Sequence, residues 1–180
     1  MKKFILLVVV VIAALGGWFY YRSHKSATPS VKVQPAVTKP DPSNATFGFD
    51  DGPITLKDGE ASSTIAPNSA IELTTTLTDD MAYGDVNGDG KNDTAALLVQ
   101  EGGGSGVFLY VAAYLSGVVE YKGSNAVFIG DRVSPKSISI TNGVVNVTYL
   151  DRKPNEPYTA DPTVSMTKHY IVQNGTLKEK

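Results

Sequence analysis

Apolar and polar residues along the chain fall into three regimes. From Phe4 to Tyr21 the stretch FILLVVVVIAALGGWFYY carries no charge, with Lys2 and Lys3 before it and Arg22, His24 and Lys25 after it. From Ser26 to Thr46 the stretch SATPSVKVQPAVTKPDPSNAT holds Pro29, Pro35, Pro40 and Pro42 and almost no bulky apolar residue. Beyond it, short apolar or alternating runs are separated by Gly, Asn, Asp and Pro, the pattern of strands and turns.

Two kinds of strand are readable in this third regime. ITLKDGE (Ile54 to Glu60) reads as a short strand entering an Asp-Gly turn, and AIELTTTL (Ala70 to Leu77) as a half-exposed strand of period two. TAALLV (Thr94 to Val99) and VFLYVAAYL (Val107 to Leu115) are instead continuously apolar. Runs this short suit strands covered on both faces, and the glycine-rich QEGGGSG between them predicts a central hairpin. NAVFIG adds a further short run. Ile138, Ile140, Val145, Val147 and Tyr149 then alternate with polar residues around Asn142-Gly143, and a similar arrangement surrounds Asn174-Gly175. Asn-Gly between alternating runs is a hairpin signal, because both turn positions need positive φ. The expected fold is all-β, an antiparallel sandwich or partly open barrel of about eight strands preceded by one N-terminal transmembrane helix.

The first regime changes where such a domain would sit. Eighteen residues of helix rise about 27 Å, close to the thickness of a hydrocarbon core. Trp18, Phe19, Tyr20 and Tyr21 cluster at the far end, where aromatic rings favour the headgroup boundary. Residues 1–25 therefore read as a membrane anchor with the N-terminus inside. The competing reading is a cleaved secretory signal with Ala14 and Gly16 as the small residues before the cut. Residues 26–46 read as a linker, and residues 47–180 as one β domain outside the cytoplasm. The chain has no cysteine, so neither a disulfide framework nor a lipid-modified Cys is expected, and the expected location is a bacterial cytoplasmic membrane.

Charge excludes one class of partner. The formal net charge is −2, but four of the 16 basic residues lie in the first 25 positions, leaving 12 basic residues against 18 acidic ones in the remainder. A domain near −6 without a basic patch is a poor nucleic-acid binder. The expected partners are the membrane, through the single span, and an envelope protein or glycan.

One stretch carries candidate chemistry. In GDVNGDGKND, oxygen donors fall at positions 1, 3, 5 and 9 through Asp85, Asn87, Asp89 and Asp93, with the Lys91 carbonyl at position 7 and Gly90 at the sharp turn of position 6. This spacing wraps a hard cation in oxygen ligands and points to Ca2+. Position 12 is Ala96, where a helix-flanked calcium loop has a bidentate Glu, so the loop is not of that kind. Asp79, Asp80 and Glu101 are the nearby carboxylates from which a further ligand could come; water is the other source. The metal-free alternative is a set of Asx turns capping backbone N–H groups. The stretch resembles the calcium loops of FG-GAP and VCBS-type repeats, whose pattern is D-x-N-G-D-G-x-x-D flanked by strands. More broadly, the order of this loop, GGGSGVFLYVAA, NAVFIGDRV, NGVVNVTYLDRKPNEP and a closing NGTL strand resembles a group of bacterial envelope proteins, some of them lipid-anchored. That resemblance implies a location and no activity.

A second candidate is a pair of loops. GDR puts Asp131 and Arg132 after a strand, and LDRKPNEPY puts Asp151 and Arg152 before Lys153, Glu156 and Tyr158. Long polar loops on a β scaffold are a common place for binding. No catalytic residue is assigned: His24 lies beside the span, His169 lies in a strand, and GGGSGV lacks the final glycine of G-x-S-x-G. The expected function is a non-enzymatic, membrane-tethered, calcium-stabilised binding or structural module of the cell envelope. The alternative is an envelope hydrolase or enzyme inhibitor using the Asp151 to Pro162 loop.

Overall fold

The computed structural model describes Trp18, residues 39–64 and residues 71–180. The expected anchor, Trp18 apart, and the linker up to residue 38 lie outside the described residues. Among the described residues no helix is long and apolar enough to cross a membrane.

The compact unit Val37–Lys180 is all-β. Its strands are β1 (Thr46–Phe49), β2 (Gly52–Thr55), β3 (Glu60–Thr64), β4 (Glu72–Gly84), β5 (Asp93–Glu101) and β6 (Val107–Leu115). They continue with β7 (Lys122–Gly123), β8 (Val127–Asp131), β9 (Ser134–Thr141), β10 (Val144–Asp151), β11 (Val164–Gln173) and β12 (Thr176–Glu179). Every ladder between them is antiparallel. They form a two-stranded sheet β1-β2, a four-stranded sheet β12-β11-β10-β9, and a six-stranded sheet β3-β4-β5-β6-β7 with β8 also on β6.

Among the described residues twelve strands stand where the pattern suggested about eight. β1, β2 and β12 have four residues each and β7 has two, too few for a period-two pattern to show. β4 also runs past the expected end at Leu77 to Gly84. A register shift between Leu77 and Met81 takes up the polar Thr78-Asp79-Asp80 as a bulge, so the strand resumes beyond residues that read as a turn. Pro40, Pro42 and Ala45, which fall in the stretch expected as linker, are buried in the β unit.

The continuous apolar run of β5 is explained by what covers it. Ala95 and Leu97 face one cluster, shared with Leu109, Val111 and Ala113 of β6 and with Val145, Val147, Tyr149, Tyr170 and Leu177 of the four-stranded sheet. Leu98 faces the opposite cluster with Ala112, Phe47 and Leu56, where the β1-β2 hairpin closes the other side. Leu97 and Leu98 are both fully buried, each contributing about 2 kcal/mol by removal from water. β5 and β6 pair in register from Thr94↔Tyr114 to Glu101↔Val107, the predicted central hairpin.

Both Asn-Gly turns form as expected. Thr141↔Val144 and Gln173↔Thr176 close two-residue loops, with φ of 51° and 74° at Asn142 and Gly143 and 52° and 75° at Asn174 and Gly175. Positive φ at both positions matches the twist of the flanking strands.

Candidate functional site

The acidic loop joins β4 to β5 across the pair Gly84↔Asp93, at the end of the six-stranded sheet where β6 also terminates. Its shape follows from side-chain acceptors taking up the backbone donors of a chain that doubles back. Asp85 Oδ1 accepts from the N–H groups of Gly88 (2.6 Å) and Asp89 (3.2 Å), and its Oδ2 accepts from Gly90 N–H (2.8 Å). Asn87 Oδ1 accepts from Asp89 N–H (3.0 Å), and Asp89 Oδ1 from Lys91 N–H (2.8 Å). Gly90 sits at φ 82°, which an L side chain rarely adopts.

Asp93 has a different position from the other donors. It is wholly buried, and its carboxylate straps three backbone donors: Val86 N–H (2.9 Å) and Asn87 N–H (3.3 Å) on Oδ2, and Ser116 N–H (2.7 Å) on Oδ1. Ser116, just past β6, is the second hub. Its hydroxyl donates to Asp89 Oδ2 (2.6 Å) and accepts from Asn87 Nδ2 (3.3 Å), while its carbonyl also accepts from Asn87 Nδ2 (3.1 Å). The loop is thereby tied to the ends of three consecutive strands. The sequence carries no mark of Ser116; only the β5-β6 register brings it within reach of Asp93.

The donor set is all oxygen, as a hard cation requires. Among the described residues no three His, Cys, Asp or Glu side chains gather into a group that could hold a metal ion, since the three loop carboxylates are turned onto N–H and O–H donors. None of the described ion pairs involves Asp85, Asp89 or Asp93, and the Lys91 ammonium donates to the Gly117 carbonyl at 3.0 Å. Three carboxylates thus share one short loop without a paired cation. Of the outlying carboxylates, Glu101 ends β5 at its far end, roughly 27 Å from Asp93. Asp79 and Asp80 lie in the β4 bulge, with Asp80 about 16 Å along the strand from Asp85. None of the three reaches the loop.

The second candidate region comes together in part. Asp131 holds Arg132 by two bonds, to Nε (3.1 Å) and Nη2 (2.8 Å), and accepts from Val107 N–H at 3.0 Å. The Arg132 and Arg152 guanidinium groups lie 4.4 and 5.7 Å from the centre of the Tyr158 ring, so one exposed tyrosine is flanked by two arginines. Arg152 donates through Nε to the Ala160 carbonyl at 2.8 Å. Asp151 caps the N–H of Arg152 (2.7 Å), and Glu156 folds onto its own loop, accepting from Lys153 N–H at 2.9 Å. Neither joins the cluster. His169 lies on an exposed strand face with Nδ1 2.7 Å from Asn146 Oδ1.

Two carboxyl groups are held below the usual value of 3.8: Asp89, chiefly by the Ser116 hydroxyl, and Asp131, chiefly by the Arg132 guanidinium. A carboxylate held low in the folded state stabilises fully above its unfolded value, and that contribution is lost as pH falls through the folded value. Thermal stability measured without calcium is therefore expected to be level above about pH 5 and to fall below about pH 4. The double change Asp89→Asn and Asp131→Asn should flatten part of that fall. An unchanged acid limb in the double variant would remove these two groups as its source.

No protein-family model, curated protein or solved structure matches this chain.

Proposed function

We propose that this protein is a non-catalytic, membrane-tethered β module held outside the cytoplasm of a bacterial cell and stabilised by calcium at the Asp85 to Asp93 loop. One observation carries the reading: Asp85, Asn87, Asp89 and Asp93 lie in a loop that clasps the ends of β4, β5 and β6, and its three carboxylates are in none of the described ion pairs. Calcium would be held by those four side chains and the Lys91 carbonyl, with water completing the shell. When bound it supplies positive charge that offsets the repulsion of the three carboxylates. Asn87, Asp89 and Lys91 are exposed, so an ion reaches the loop from solvent without opening the core.

The affinity expected of such a loop agrees with the outward placement. A loop without a bidentate Glu belongs to the weak range, Kd about 10⁻⁴ to 10⁻³ M, which is filled at extracellular calcium levels and empty at cytosolic ones. The uncharged run from Phe4 to Tyr21 supports the tether. The exposed Tyr158 ring, flanked by the half-buried Arg132 and Arg152, gives the module a surface suited to a polar partner.

With about 2 mM calcium and a Kd near 10⁻⁴ M, linkage gives about 1.8 kcal/mol of added stability. For a unit of this size that is a rise of roughly 6 °C in Tm over the same protein in chelator. Asp89→Ala should abolish the difference. A Tm that is the same with calcium and with chelator, for the unaltered protein, overturns the calcium reading and leaves the loop as a set of Asx turns.

A further inference from the structure

Val118 and Val119 form the tip of the loop between β6 and β7, and they are the most exposed large apolar side chains among the described residues, at 100% and 94%. They stand over an open cavity of about 740 Å3, with Leu115, Gly117 and Gly175 beneath. Scattered surface valines are ordinary, but two in succession and almost fully in water call for an account.

The covalent path of the chain indicates which surface they meet. The Pro40 carbonyl accepts from the Thr94 hydroxyl at 2.6 Å, and Thr94 pairs with Tyr114 next to the end of β6. Residues Asn44 to Thr46 and Glu120 to Gly123 line one shared depression. The chain therefore enters the β unit at the end that bears the valines. In sequence only residues 22–38 separate the uncharged run from Lys39, a reach of at most about 60 Å. The base of the tip is also suited to a bilayer surface. Tyr121 stacks on Tyr114 with ring centres 5.3 Å apart, and Lys122 is exposed, paired with Glu120 at 3.7 Å. Apolar residues at the point with Tyr and Lys behind them follow the order of a membrane interface, where aromatic rings and basic groups sit at the headgroups.

We propose that Val118 and Val119 make a second, shallow contact with the bilayer that carries the N-terminal anchor, holding the acidic-loop end of the β unit toward the membrane. The inference rests on the tether reading above. The absence of cysteine makes it directly testable in the full chain. Val118→Cys and, at the opposite end of the β5-β6 hairpin, Ser105→Cys are labelled with bimane and reconstituted into phosphatidylethanolamine and phosphatidylglycerol vesicles containing nitroxide-labelled lipid. Bimane at position 118 should be quenched roughly threefold more strongly than at position 105, and Val119→Asp in the same background should return it to the level of position 105. Equal quenching at both positions, in chain that floats with the vesicles, overturns the docking proposal and leaves the tether intact. Chain that does not float with the vesicles overturns the tether reading and this inference with it. Quenching by a nitroxide-labelled second copy and not by labelled lipid would make the tip a self-contact, and also overturns the proposal.

Discussion

Asp93→Ala is expected to destabilise the β unit by about 4 kcal/mol in chelator, because the buried carboxylate accepts from three backbone donors. The N–H groups of Val86 and Ser116 are buried and that of Asn87 is partly so. Each buried donor stripped of its acceptor costs about 1–3 kcal/mol, and the vacated volume adds to the loss. The corresponding fall in Tm is roughly 15 °C. Asp93→Asn keeps an oxygen for only part of the set and turns an amide N–H2 toward the remaining donors, so an intermediate loss of about 2–3 kcal/mol is expected. Urea or thermal unfolding in chelator is the deciding measurement. A loss below about 1 kcal/mol there would mean that Asp93 acts only through a metal and not as a strap. Together with Asp89→Ala, which should remove the rise that calcium gives, this separates the two jobs of one loop.

Gly123→Ala is the second large effect. A Cβ at this position would stand 2.1 Å from the Thr46 carbonyl oxygen, 2.9 Å from the Thr46 carbonyl carbon and 2.8 Å from Phe47 Cδ1. Backbone cannot swing aside as a side-chain end can, so β1 must retreat and lift Phe47, wholly buried, from its cluster with Leu56, Leu98 and Ala112. We expect a loss of about 3 kcal/mol. Hydrogen exchange should report where it falls: the amides of Gly48 and Ala126, bonded across to Ser124 and Gly48, should lose protection before those of β10 and β11. Gly104→Ala, where an added Cβ meets nothing within 4 Å, is the control and should change stability by less than about 0.5 kcal/mol. Equal effects at the two glycines would show that the β1 approach is loose.

Much of the fold was readable where the governing term is local. Asn142-Gly143 and Asn174-Gly175 announced hairpins because positive φ is a property of two adjacent residues, and both turns form with the expected register. The unbroken apolar run Thr94 to Val99 announced a strand covered on both faces, and it lies between two clusters. What was not readable were strands too short for any period, such as β7, and a bulge that carries β4 through Thr78-Asp79-Asp80. The polar residues that end a strand and those that bulge within one look alike until a partner strand is present.

The candidate loop divides in the same way. Sequence by itself determined the oxygen-rich spacing from Asp85 to Asp93, because short Asp and Asn side chains around glycines cap the backbone donors of their own turn. It also determined the all-β class and the turn positions, which depend on residues adjacent in the chain. Only the tertiary structure decided that Asp93 is a buried strap, that Ser116 is its partner 23 residues away, and that Arg132 and Arg152 meet on Tyr158. It alone brought the Val118-Val119 tip to the end where the chain enters the unit. Those pairings depend on strand register, and register is set by the burial of whole faces across sheets rather than by the preference of any residue for its neighbours.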